Sequence, residues 1–164
     1  MQKMIAAIIF LATSISSAST TNLWRLDVRG VAGPVTQLDL PDAGGKRRTV
    51  FIAAEYERLC DPIFSFMEIS GNVLGAPTTR FPLKDSKIGI ILNGNFYTWH
   101  AAKTNYANGF EAALGVPNEL LLQLLTNVSS LVYVTPSGEN ITLPTGNFQK
   151  SLQTALEVCR KKVQ

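Results

Sequence analysis

Cys60 and Cys159 are the only two cysteines in this 164-residue chain, and no other pair of positions constrains its fold as strongly. Their importance follows from how the chain begins. Lys3 supplies a positive start, Ile5 to Ala12 form an apolar stretch, and Ser16-Ser17-Ala18 offers small residues for cleavage. Residues 1–18 are therefore expected to be a secretory signal peptide and residues 19–164 a single exported domain, periplasmic or secreted. The apolar run breaks into Thr13, Ser14, Ser16 and Ser17, short of the roughly 20 apolar residues that a spanning helix needs. No stable membrane insertion is expected after cleavage. In oxidising surroundings Cys60 and Cys159 are expected to pair. That bond would close a loop of about 100 residues, for which chain entropy gives somewhat under 5 kcal/mol.

Removing the signal leaves 146 residues with a net charge of +2, because Lys3 is its only charged side chain. An apolar fraction of 46% is enough for a packed core. Basic residues cluster only at Lys46-Arg47-Arg48 and Arg160-Lys161-Lys162. The first reads as a solvated turn after Gly44-Gly45, and the second as cations complementing a helix C-terminus. Nucleic acid is not an expected partner.

Along the mature chain, Leu23 to Val28 alternates as a strand does, Val35 to Leu40 is extended, and Pro41 to Gly45 is turn-rich. Thr49 to Ala54 reads as a strand. Ile63 to Ile69 follows the loop Cys60-Asp61-Pro62, with Ile63, Ser65, Met67 and Ile69 on one side and Phe64, Phe66 and Glu68 on the other. Both sides are partly apolar, which suits a central strand. Ile88 to Leu92 and Phe96 to His100 flank Asn93-Gly94-Asn95, a hairpin signal. A further strand over Phe110 to Ala113, or an irregular connection, follows Asn108-Gly109. Pro117-Asn118-Glu119 opens a leucine-rich helix expected to be buried on most sides. Ser130 to Thr135 and Asn140 to Leu143 form a second hairpin. The last helix runs from about Asn147 to Lys161, its stripe of Phe148, Leu152, Ala155, Leu156 and Cys159 facing inward. This order predicts an α+β fold: a mostly antiparallel, sandwich-like sheet with two late helices, the last pinned by the disulfide.

Catalytic patterns are sparse. One histidine, His100, cannot build a zinc site with two oxidised cysteines, and no Gly-x-Ser-x-Gly elbow supports Ser-His-Asp chemistry. Gly71 to Gly75 lacks the Lys of a phosphate loop. Acidic residues mostly neighbour bases, as Glu55 and Glu57 do Arg58, so a hydrolase built on paired carboxylates is the weakest reading. No enzyme, cofactor or metal is expected. Two sequons, Asn127-Val128-Ser129 and Asn140-Ile141-Thr142, would matter only in a eukaryote. The candidate partner-binding residues are Asn93, Asn95, Phe96, Tyr97 and Trp99, continued by Asn105, Tyr106 and Asn108, because Tyr and Trp bring large contact area at modest entropy cost.

Gly109-Phe110-Glu111-Ala112-Ala113-Leu114, the helix Glu119 to Thr126, the strands Leu131 to Val134 and Ile141 to Leu143, and a last helix ending at Cys159 make a pattern of elements. Over residues 109–160 that pattern resembles the end of the invasion-associated locus B family. It is equally similar to type VI secretion accessory proteins of the TagO kind. The resemblance implies a non-enzymatic, exported, β-rich accessory or host-interaction protein whose partner is another protein of the envelope or of a host; it carries over no functional residue. The alternative is an inhibitor or immunity protein that inserts a loop, or the hairpin tip near Asn93 to Phe96, into the cleft of an envelope enzyme such as a lysozyme.

Overall fold

The computed structural model describes residues 23–29, 32–71, 75–83, 88–98 and 101–164, so the expected signal peptide, Trp99 and His100 lie outside the described residues. A short strand, β1 (Arg25–Asp27), pairs with β2 (Val35–Ala43), which pairs in turn with β3 (Lys46–Ala54). The two long strands reverse through Gly44 and Gly45, whose φ angles of 58° and 74° are readily adopted only without a side chain. Strand pairing therefore runs past Pro41 into the segment that composition marks as turn, with a register shift between Leu40 and Ala43. Lys46-Arg47-Arg48 accordingly begins a strand and is not a solvated turn. Lys46 pairs with Glu68 at 2.9 Å, and Arg48 pairs with Glu139 at 2.7 Å while lying over the Phe66 ring.

A short 3-10 turn, Tyr56–Arg58, leads to Leu59 and Cys60, both in the left-handed region at φ 53° and 70°. This reversal buries Cys60 and leaves Leu59 80% exposed. Next come β4 (Pro62–Ile69), β5 (Pro77–Leu83), β6 (Gly89–Leu92) and β7 (Asn95–Tyr97), then β8 (Ala101–Tyr106) and β9 (Gly109–Gly115). The first sheet has the order β1-β2-β3-β4-β9-β8-β5, entirely antiparallel, with β4 at its centre as its two-sided apolar pattern suggests. At one edge β5 carries Pro77 and Pro82, which cannot donate to a further strand and so suit an unpaired margin.

A second sheet, β11-β10-β6-β7, adds β10 (Leu131–Val134) and β11 (Asn140–Leu143). Tyr133 of β10 stacks on Phe64 and Phe66 of β4, with ring centroids 5.6 and 5.7 Å away, and its hydroxyl donates to the Ala112 carbonyl at 2.9 Å. Enclosure in that core raises the Tyr133 phenol far above its ordinary pKa. Helix α1 (Asn118–Thr126) buries Leu120 and Leu124 but leaves Leu122 62% exposed, so its leucine run is not buried on most sides. Helix α2 (Phe148–Val163) buries the expected stripe of Phe148, Leu152, Ala155, Leu156 and Cys159. The Cys60–Cys159 disulfide forms, with Cα atoms 5.8 Å apart, and pins α2 to the start of β4. At the opposite end of α2, Asn147 accepts from the Trp24 amide and donates to the Trp24 carbonyl, at 3.0 and 2.8 Å. The helix is thus tied at both ends over the inner face of the large sheet.

Candidate functional site

Alternation divides the central strands of the large sheet into two kinds of surface. Val50, Ile52, Phe64, Phe66, Ala112 and Leu114 point inward and are at most 1% exposed. Their neighbours Phe51, Ile63, Met67, Glu111 and Ala113 lie on the other face and stay partly open. Strand register sets Phe51 opposite Ser65, Ser65 opposite Ala113, and Ala113 opposite Ala102. Three consecutive small side chains beside a phenylalanine leave a depression of about 400 Å³, which also borders Ile63 and Pro77. That volume falls within the range of small-molecule sites, roughly 300–1,000 Å³. Across Phe51 lies a second hollow of about 310 Å³, bordered by Gln37, Thr49 and Met67.

Polar chemistry in the first depression is concentrated at a few points. Ser65 is 0% exposed, yet its hydroxyl has no hydrogen-bond partner, although it lines the hollow. Leaving a buried hydroxyl unpaired costs about 1–3 kcal/mol, which a ligand atom could recover. Among the described residues, Thr36 Oγ1 and Arg48 Nε share that condition, but neither borders this depression. The Tyr106 hydroxyl donates to Glu111 Oε2 at 3.1 Å. Partial burial and the Glu111 charge push the Tyr106 phenol up to about 12, so it keeps its proton and its role as donor. Arg80 and Glu55 also border the depression, and among the described residues neither side chain makes a hydrogen bond or an ion pair.

The aromatic hairpin divides differently. Asn93 takes a left-handed φ of 51° in the turn and turns its amide onto the loop after α1: Nδ2 donates to the Asn127 carbonyl at 2.7 Å, and Oδ1 accepts from Ser129 and Ser130. Tyr97 is half-buried and donates to Gln123 Oε1 at 3.1 Å. Asn95 and Phe96 remain exposed on the edge strand β7, and Trp99 lies outside the described residues. Asn93 and Tyr97 therefore help hold the small sheet to α1, whereas Asn95 and Phe96 present free surface. Of the continuation, Tyr106 lines the depression, Asn105 donates to Thr79 Oγ1 at 3.1 Å, and Asn108 donates to the Ser70 carbonyl at 2.7 Å.

Sequence reasoning did not single out Ser65, Arg80 or Glu111. The side of β4 that carries Ser65 was legible from alternation, but its meeting with Ala113 and Ala102 depends on the strand order β4-β9-β8, which no local pattern contains. Among the described residues no group of three or more His, Cys, Asp or Glu gathers as a metal site, and no helix is long and apolar enough to cross a membrane. No family model matches the chain, and neither the curated proteins nor the solved structures contain a significant match to it.

Proposed function

We propose that this chain is an exported, non-catalytic binding or accessory protein of the bacterial envelope, and that it binds through the outer face of its seven-stranded sheet. The observation that carries this reading is the Ser65 hydroxyl, fully buried and unpartnered at the floor of an open depression. A fold under no demand but stability gains by placing alanine there. The resemblance of residues 109–160 to envelope accessory proteins and the expected signal peptide support the envelope assignment, and the disulfide suits an oxidising compartment. Amide NMR of the labelled protein, titrated with the low-molecular-mass fraction of an envelope extract, tests it. Shifts confined to residues around Ser65, Ala102 and Ala113, and lost in a folded Ala102→Trp variant, are expected. A spectrum unchanged on that face overturns the reading.

Phe96 favours a second reading, since a half-exposed aromatic ring on an edge strand is a plausible anchor for an inhibitor of an envelope enzyme. Loss of lysozyme activity on adding the protein in stoichiometric excess, reversed by Phe96→Ser, is its expected signature.

A further inference from the structure

We propose that the depression on the outer face takes a short peptide with apolar side chains and free ends, its ammonium on Glu55 and its carboxylate on Arg80. The inference rests on the binding reading above and names the ligand for that site. Glu55 and Arg80 line the same hollow from opposite sides, since Glu55 directly follows β3 and Arg80 sits on β5. The order β3-β4-β9-β8-β5 separates those positions by four strand spacings, and the register sets Arg80 level with Thr49, six residues before Glu55, so the two stand at diagonal corners, about 27 Å apart at the backbone. Once both side chains extend over the hollow, a peptide of about five residues, roughly 17 Å when extended, fills the gap between their charges.

The groups between the two ends also suit a peptide. Phe51, Ile63 and Pro77 supply apolar walls for its side chains. Ser65 can donate to a peptide carbonyl, and Glu111, which spends one oxygen on Tyr106, has the other free for a peptide N–H. A fatty acid fits less well. It would occupy the apolar walls and Arg80 but leave the buried Ser65 hydroxyl without a partner and Glu55 without a counter-charge. The charges bordering the hollow, Glu55, Glu111 and Arg80, sum to one negative, so a ligand bearing a cation is favoured over a simple anion. The backbone of the central strands is already committed to the sheet ladder, so the peptide lies across side chains and does not add as a strand.

Isothermal titration of the disulfide-intact chain with Ala-Leu-Ala-Leu-Ala, and with the same peptide N-acetylated or C-amidated, tests the assignment, with amide NMR locating each complex. The free peptide is expected to bind on the outer face, and blocking either end to weaken it roughly three- to tenfold, the range of a partly exposed ion pair. Arg80→Ala should abolish discrimination against the amide and leave that against the acetyl group; Glu55→Gln should do the reverse. Equal binding of blocked and free peptides overturns the recognition of ends, and dodecanoate displacing the peptide from the same amides overturns the peptide class. If the free peptide is silent at millimolar concentration while the envelope fraction still shifts the outer face, the peptide falls and the binding reading stands. Silence from both removes both.

Discussion

The two faces of the seven-stranded sheet come from the same strands and have opposite fates. On the inner face, Phe64, Phe66 and Leu114 are fully enclosed by Tyr133 and the rest of one continuous buried cluster that includes the α2 stripe. One residue along each strand, Phe51, Ile63 and Ala113 remain partly open beside a hollow. Apolar character alone is therefore a poor guide to role here: the inner face is apolar because it must pack, and the outer face sets Phe51, Ile63 and Ala113 among polar and charged neighbours such as Thr104, Glu111 and Arg80.

The two faces differ most at one phenylalanine on each. Phe64→Ala opens a cavity between the sheets and should cost about 3–5 kcal/mol, whereas Phe51→Ala should cost about 1 kcal/mol or less because its ring is already partly solvated. Urea unfolding of both variants measures the difference. Equal losses would mean that the outer face is core in solution, covered by something beyond the described residues.

Removing the disulfide probes the lid of the inner face. A Cys60→Ala and Cys159→Ala double variant should lose about 2–5 kcal/mol, since the bond closes a loop spanning 99 positions. Hydrogen exchange should then quicken in α2 while the β4–β9 ladder keeps its protection. Uniform loosening of both would show that the staple supports the whole sheet and not the lid alone.

How much of this was legible in the sequence follows from what is local. The α2 stripe, the Asn93-Gly94 turn, the β10–β11 hairpin and the two-sided pattern of β4 are encoded in short periodicities or turn residues, and all four were legible. Strand β5 was not, because Pro77 and Pro82 interrupt its seven residues; it survives as a strand by pairing with β8 on one side only. Strand β8 was equally hidden, since Ala101-Ala102-Lys103-Thr104 has weak strand preference and is held by β9 and β5 on either side. The depression was illegible for the same reason, being assembled from β3, β4, β9, β8 and β5.

Ser65 sharpens the contrast by sign. Because its buried hydroxyl has no partner, Ser65→Ala should stabilise the unliganded protein by about 1 kcal/mol, the reverse of the usual effect of a central substitution. The same change should weaken whatever binds the outer face. Thermal unfolding with and without ligand checks both arms. A destabilised alanine variant would mean that the hydroxyl is already satisfied in solution.

The smallest effect lies at Tyr106, on the outer face, where pH separates a polar pair from simple packing. Burial and the neighbouring Glu111 carboxylate hold the folded-state phenol near 12, above its ordinary value of 10.0. Between those values the unfolded chain has released the proton and the folded chain has kept it, so folding binds protons and stability falls as pH rises. The contribution is therefore whole below about pH 10 and is lost as pH passes through about 12. Tyr106→Phe removes this slope. The wild type should lose stability relative to the Tyr106→Phe variant between about pH 10 and about pH 12, so the difference between their urea midpoints shifts in the variant's favour across that window. Parallel curves would show that Tyr106 titrates alike in both states, and that the Glu111 pair on the open face is too solvated to hold its donor in place.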